Sequence, residues 1–413
     1  LKNRKALLIC YYFPPLGGAG VGRPLALYKH LPAFGWECHV LTVKPVAYRV
    51  YEPELLDGLD TSHIYRAGSH DPQRLLHLLG IRKVSDVSIH RHRKISGRFF
   101  PDSKVGWVKP AIRMGRVLSS NNRYDVVIST SPPISSHLVA KQLSTELNIP
   151  WVADFRNFWE VHKPEQVFRY QRQTERALNL LKSIRQQATA ITALNGSIAS
   201  YVEADEVIHN GFYSDFAARW KTPQQSERFV IGVPGTLDDI CPIEPLLKVV
   251  AAVREKAPFL FDKIKLLQVG RVNIEWLQPQ LEKYGLKGQC DLHLFQKRVD
   301  TIKILSQASL FYLGLPSPEE KGVIPGRIYT LFASGRPILA AVPPDSEVEK
   351  LIKRTGHGFC FSDNNISTAV DYLSGQIRLF ETNTLNIIPL PEFARQFSSD
   401  NLAKNFAHLF DQL

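Results

Sequence analysis

Two stretches of this sequence set glycine beside arginine where the chain should turn from a strand into a helix. The first is Phe13-Pro-Pro-Leu-Gly17-Gly18-Ala-Gly20-Val-Gly-Arg23, which follows an apolar run and opens a helical pattern. Glycines let backbone amides approach a ligand closely, and a helix N-terminus favours an anion. The spacing matches a dinucleotide fingerprint only loosely. Such a site also uses an acid at the end of the second strand, where this chain reads Leu41-Thr42-Val43-Lys44, so a nicotinamide cofactor is not expected. The second stretch is Pro325-Gly326-Arg327, with the arginine entering a helix, a position suited to a phosphate contact. Three further groups stand at predicted strand or helix ends. His137 follows Pro132-Pro133, Asp154-Phe-Arg156 closes a short strand, and Phe295-Gln-Lys297-Arg298 follows another.

The elements that must carry these residues alternate. Apolar runs at 6–12, 37–43, 126–129, 151–153, 190–193 and 206–208 are separated by helical patterns such as 23–34 and 135–147. After a polar, irregular stretch the pattern restarts. Strands are predicted at 229–233, 264–269, 291–295, 310–313 and 337–340, and helices at 245–255, 301–306 and 328–334. Alternation of this kind predicts βαβ units with parallel sheets. The expected domains are 1–212, a linker at 213–228, a second domain at 229–385, and a tail at 386–413 that packs back on the first. The tail's Leu402, Phe406, Leu409 and Phe410 recur at helical spacing. Two doubly wound sheets in series are expected to leave an interdomain cleft at their strands' carboxyl ends.

At 413 residues, with 44% hydrophobic and 22% charged residues, the chain fits two globular domains rather than disorder. Five scattered cysteines show no metal-ligand spacing, and neither a metal nor a cofactor is expected. No apolar run is long enough to span a bilayer. The first strand runs straight into Pro14-Pro15, unlike a signal-peptide core. Residues 1–210 carry 28 Lys+Arg against 17 Asp+Glu, a net of +11 out of the chain's +12. That half should attract phosphates, on a diphosphate carrier or an anionic membrane, and its densest stretch is His90-Arg-His-Arg-Lys94 with Arg98. No nucleic-acid recognition motif accompanies the charge, and nucleic acid is not an expected partner.

Read in order, these segments resemble the retaining group 1 glycosyltransferases of the GT-B fold, in the branch that builds bacterial polysaccharides and surface glycans. The likeness is carried by Tyr12-Phe-Pro-Pro-Leu-Gly-Gly-Ala-Gly-Val-Gly-Arg-Pro24, Pro101-Asp-Ser-Lys-Val-Gly-Trp107 and Ser129-Thr-Ser-Pro-Pro-Ile-Ser-Ser-His137. It continues through Ala153-Asp-Phe-Arg-Asn-Phe-Trp159, Val207-Ile-His-Asn-Gly-Phe212 and Ile324-Pro-Gly-Arg-Ile-Tyr-Thr-Leu-Phe-Ala-Ser-Gly-Arg-Pro-Ile338. The resemblance implies two Rossmann-like domains, with a C-terminal helix crossing back to the first. It also implies an acceptor held by the first domain through Arg23, Trp107 and Arg156. A nucleotide-diphosphate sugar would be held by Gly17, Gly18, Gly20, Gly235, Thr236, Arg271, Phe295, Lys297, Arg298, Pro325, Gly326, Arg327 and Thr330. Asp154 and His137 would be the catalytic pair. The expected reaction is sugar transfer to a glycan or lipid-linked acceptor, with retention by front-face displacement. The expected place is the cytoplasm, with peripheral contact at the inner face of the membrane.

Three departures qualify the donor side. Thr330 stands where the family's ribose-gripping Glu falls. Asp238 and Asp239 follow Gly235 where a basic pair is usual. Asn157 replaces the second acid of Asp-Phe-Arg-Asp. They keep a second reading open, a GT-B-like protein that binds a nucleotide or a partner without turnover.

Overall fold

The computed structural model describes residues 4–48, 50–80, 99–157, 171–222, 227–294, 296–385 and 387–413. The basic stretch at 90–98 and Phe295 lie outside the described residues. The chain divides into two compact units, Leu1–Gly211 with Ser399–Leu413, and Phe212–Ser398.

In the first unit the parallel strands are β1 (Arg4–Ile9), β2 (Trp36–Val43), β3 (Ile64–Ala67), β4 (Val126–Ser131), β5 (Trp151–Phe155), β6 (Ala190–Ala193) and β7 (Glu206–Val207). They stand in the order β3-β2-β1-β4-β5-β6-β7. Helices α1 (Gly22–His30), α2 (Pro72–Leu78), α3 (Val108–Asn121), α4 (Ser135–Leu147), α5 (Gln171–Gln187) and α6 (Gly196–Val202) connect them. Continuous apolar runs such as Ala6-Leu-Leu-Ile9 and Val126-Val-Ile128 are wholly buried, as strands covered on both faces require. Strand order reverses between β1 and β4, and such switch points are where open α/β sheets bind ligands.

The second unit opens with α7 (Ser214–Ala217) and β8 (Phe229–Pro234), followed by α8 (Glu244–Lys256) and α9 (Pro258–Phe261). Next come β9 (Ile264–Val269), α10 (Ile274–Lys283), β10 (Cys290–His293), α11 (Arg298–Leu305), β11 (Leu310–Gly314) and α12 (Arg327–Ala333). The last elements are β12 (Ile338–Ala341), α13 (Glu347–Thr355), β13 (Gly358–Phe361) and α14 (Ile366–Glu381). Its sheet reads β10-β9-β8-β11-β12-β13, with the reversal between β8 and β11. One core face packs Leu246, Leu247 and Val250 of α8 on Phe229 and Ile231. The other packs Ile328 and Phe332 of α12 on Phe311.

The final helix, α15 (Ser399–Asp411), belongs to the first unit. Its Leu402, Phe406, Leu409 and Phe410 are buried. Trp36 meets Phe410 edge-on at 5.2 Å and donates from Nε1 to Asp411 at 2.9 Å. The chain enters the second unit at Phe212 and leaves at Ser398, and these residues form a backbone bridge. The Phe212 N–H donates to the Phe397 carbonyl at 2.8 Å.

Two stretches differ from the sequence reading. The described part of 213–228 joins the second unit instead of standing as a separate linker. Its Trp220 is 5% exposed, lies 5.8 Å from Phe311 and carries Arg336 over its ring at 5.2 Å. Likewise the described part of 386–398 belongs to the second unit, where Phe397 packs on Tyr329 and Phe332. Among the described residues no helix is long and apolar enough to cross a membrane.

Candidate functional site

In the first unit the glycine turn after β1 is closed by its own surroundings. The Gly18 N–H donates to Glu52 Oε1 at 3.0 Å, and the Gly17 N–H donates to the Val50 carbonyl at 2.7 Å. A Cβ on Gly17 would stand 2.6 Å from the same Glu52 oxygen. Gly18 has φ +89°, a conformation that glycine adopts without strain. Two of the amides read as a phosphate cradle, those of Gly18 and Gly17, are thus occupied by a buried carboxylate and a carbonyl.

The nearby arginines are spent as well. Arg23 forks onto Asp154, with Nε to Oδ2 at 2.9 Å and Nη2 to Oδ1 at 2.7 Å. Its Nη1 reaches the Ile208 carbonyl at 2.7 Å, and its plane covers Phe406 at 4.9 Å. Asp154 also accepts from the hydroxyls of Thr130 (2.6 Å) and Thr192 (2.8 Å). Burial pushes the Asp154 carboxyl up, but the Arg23 charge and these bonds outweigh it and hold it below the usual range. With 0% exposure for Asp154 and 3% for Arg23, this is an internal knot joining β5, α1 and the end of β7. The acceptor contact read for Arg23 and the catalytic role read for Asp154 do not fit side chains so enclosed. Arg156 donates to the carbonyls of Ser131 and Gly20, each at 2.9 Å. Burial lowers its pKa to about 10. It ties the turn after β4 to the turn after β1, which is a positioning role.

His137, in the first turn of α4, is wholly buried, and burial lowers its pKa to about 3. Ser129 Oγ accepts from Trp151 Nε1 at 2.8 Å, so its own proton is available to His137 Nδ1, 2.7 Å away. The ring proton then sits on Nε2, which has no partner. A neutral imidazole of this kind donates one hydrogen bond and does not shuttle protons near neutrality. Beside it, Asp102 caps α4 from a distance, accepting from the Ser135 N–H and hydroxyl at 2.8 Å each. Trp107 is fully buried against Tyr11, with ring centroids 5.5 Å apart.

The second unit presents a different arrangement at its own switch point. Gly235, after β8, has φ +98°, and a Cβ there would lie 3.2 Å from Arg327 Nη1. The Arg327 guanidinium therefore lies over the glycine turn. It donates from Nη2 to Cys241 Sγ at 3.4 Å, while Nε is buried without a partner. Among the described residues it has no carboxylate partner. Sequence reasoning missed Gln268, which is fully buried and donates to the Gly235 carbonyl at 2.8 Å, fixing the turn.

The other donor-side residues divide. Arg271 follows β9 and lends its carbonyl to the Leu237 N–H at 2.9 Å, beside Gly235 and the exposed Thr236. Lys297, exposed, precedes α11. Arg298 stacks on Tyr213 at 5.0 Å. Pro325 and Gly326 lead into α12, where Thr330 is half-buried. Asp238 is tied to its own loop, accepting from the N–H groups of Ile240 (3.0 Å) and Cys241 (2.9 Å).

One group, Glu37, His39 and His63, brings potential metal ligands together. His39 already spends both nitrogens, on Glu37 (2.7 Å) and Tyr124 (2.9 Å). Its ring stacks on His63 at 4.4 Å with a 10° interplanar angle. In-plane lone pairs of near-parallel rings do not converge on one ion. The group also sits at the amino end of β2, away from the switch point.

No family model matches the chain, and no curated protein matches it. Solved structures do. HepE of Anabaena, in complex with UDP and glucose, superposes with TM-score 0.63 over 99% of this chain and 100% of that one, at 15% identity. Sucrose-phosphate synthase from Thermosynechococcus elongatus gives 0.63 over 99% and 98%, at 16% identity. The lipopolysaccharide outer core galactosyltransferase WaaB gives 0.57 over 99% and 100%, at 13% identity. Likeness at these identities defines the fold, and the chain is built as two Rossmann-like units of the GT-B kind.

Proposed function

We propose that this protein is a glycosyltransferase that takes a sugar from a nucleotide-diphosphate donor, with uridine as the nucleoside, and passes it to a glycan or lipid-linked acceptor. The observation that carries the reading is Arg327, a guanidinium without a carboxylate partner among the described residues, laid over the Gly235 turn at the carboxyl end of the second sheet. A guanidinium without a counter-charge, over a turn whose glycine admits close approach, suits a pyrophosphate, and charge-assisted bonds of this kind are the strong ones. The choice of uridine is supported by HepE, whose structure is a complex with UDP and glucose.

In this reading the departing diphosphate gathers charge as the glycosidic bond breaks, and Arg327 stabilises it. The acceptor hydroxyl attacks from the same face and gives its proton to the leaving phosphate oxygen, which retains the anomeric configuration. The first unit's net positive charge draws an anionic membrane or carrier lipid close.

Calorimetry with UDP, ADP and GDP tests the reading. UDP should bind most tightly, and Arg327→Ala should weaken it at least tenfold. Binding of none of the three would end it. Thr330 and the inward-tied Asp238 favour a second reading, a binder without turnover. In that case UDP would bind and no UDP-sugar would be hydrolysed or transferred.

A further inference from the structure

The turn beneath Arg327 is built against a glutamine. Gln268 is wholly buried near the end of β9, between the apolar Leu267 and Val269. Its Nε2 donates to the Gly235 carbonyl at 2.8 Å, and its Oε1 has no partner. The reversed amide would set Oε1 against that carbonyl, oxygen facing oxygen, so the donor end must point to Gly235. The same carbonyl is seated on Gly270, where a Cβ would stand 2.1 Å from its oxygen. The Gly235 N–H is taken by the Val269 carbonyl at 2.8 Å. Three consecutive residues at the end of β9 thus hold one peptide of the turn. Arg327 lies where a Gly235 Cβ would be. It donates to the Cys241 thiol and leaves Nε buried and unpaired.

A peptide that follows a glycine turns over easily, because glycine occupies both signs of φ. Buried donors are nearly always paired, so a guanidinium with a free Nε takes a carbonyl that comes within reach. We propose that Gln268 is a positioning residue of the donor site. Its amide, with the room left by Gly270, holds the Gly235 carbonyl toward β9, denies Arg327 that acceptor, and keeps the guanidinium for the diphosphate. A planar trans peptide directs its N–H opposite to its carbonyl. The Thr236 N–H therefore faces away from Gln268, as a second donor for the same anion. An apolar side chain at 268 would fill the strand without leaving a buried oxygen unpaired. The glutamine is explained by the carbonyl it holds. That the anion is a diphosphate rests on the donor reading, whereas the hold of Gln268 on the Gly235 carbonyl does not.

The test uses the full chain, with UDP affinity from calorimetry and the Arg327 Nε–H signal from NMR, identified by its loss in Arg327→Ala. Gln268→Met keeps the side-chain length without the donor, and should bind UDP at least tenfold more weakly than the wild type. With Arg327→Ala already present, the same change should weaken binding less than threefold, because the two residues act through one contact. Without ligand, the Nε–H signal of Gln268→Met should move downfield and exchange more slowly with water, as the freed carbonyl reaches it. Gln268→Leu carries the same test if Gln268→Met does not fold. Unchanged UDP affinity, an equal loss in both backgrounds, or an unmoved Nε–H signal overturns the inference. No UDP bound by the wild type overturns the donor reading alone, and the Nε–H signal then decides whether Gln268 acts on Arg327.

Discussion

The turn after β1 and the turn after β8 occupy equivalent places in their two sheets, and each brings glycine close to arginine. They are finished in opposite ways. In the first unit Glu52 takes the Gly18 amide, Arg23 is forked onto Asp154, and Arg156 is used up on carbonyls. In the second, Arg327 lies over Gly235 and donates to a thiol. Glycine and arginine side by side therefore do not define an anion site. What distinguishes the two turns is whether the cation already has its counter-charge.

The largest expected effect breaks the pair in the first unit. Arg23→Ala or Asp154→Ala should cost about 3–5 kcal/mol, since either leaves a buried charge alone. Arg327→Ala should stay within about 0.5 kcal/mol of the wild type. Urea denaturation monitored for both variants checks the contrast, and equal losses would erase it. Next in size is ligand affinity. Arg327→Ala should raise the UDP dissociation constant roughly 10- to 100-fold, about 1.4–2.8 kcal/mol, and Arg327→Lys should recover part of it. Arg23→Lys, where folded, should leave UDP affinity unchanged by calorimetry.

Acid should loosen the first unit through His137. Its folded pKa is about 3, against roughly 6.5 for an unfolded histidine. Between those values the unfolded chain binds a proton that the folded chain refuses. The stability is complete above roughly pH 6.5 and falls with pH, by up to about 1.4 kcal/mol per unit. Denaturation midpoints from pH 7 to 4 should show that slope, and His137→Gln should flatten it. The smallest effect sharpens the comparison itself. Glu52→Gln keeps an acceptor for Gly18 and should change UDP affinity less than twofold. A severalfold rise would mean that the first glycine turn also meets the diphosphate and that Glu52 opposes it.

Much of the architecture is readable because parallel strands buried on both faces are continuous apolar runs. Strands β3 and β13 escape such a reading because each lies at a sheet edge and is fully buried only at its last residue, although Gly358-Phe-Cys-Phe361 carries an apolar signal. The segment 213–228 resembles a linker by polarity, and Trp220 is the one sign that it is anchored. At the site, Gly235 and Arg327 are each legible locally, from a turn glycine and a Pro-Gly-Arg helix start. The fates of Gly18 and Arg23 are not. Their partners, Glu52 and Asp154, lie 34 and 131 residues away, and no local spacing encodes such a meeting. Gln268 is hidden for the same reason, as a polar residue inside an apolar strand whose partner is a distant carbonyl.

The Phe212–Ser398 bridge has a consequence for engineering and descent. The span 212–398 is a continuous cassette whose two ends are stitched side by side, while its host is completed only when α15 comes home. Such a segment is a natural unit to excise or exchange at those two residues, and a cooperative thermal transition of 212–398 expressed alone is the expected outcome. An equivalent cut at residue 398 should destabilise the host, because it would remove the buried Phe406 and Phe410.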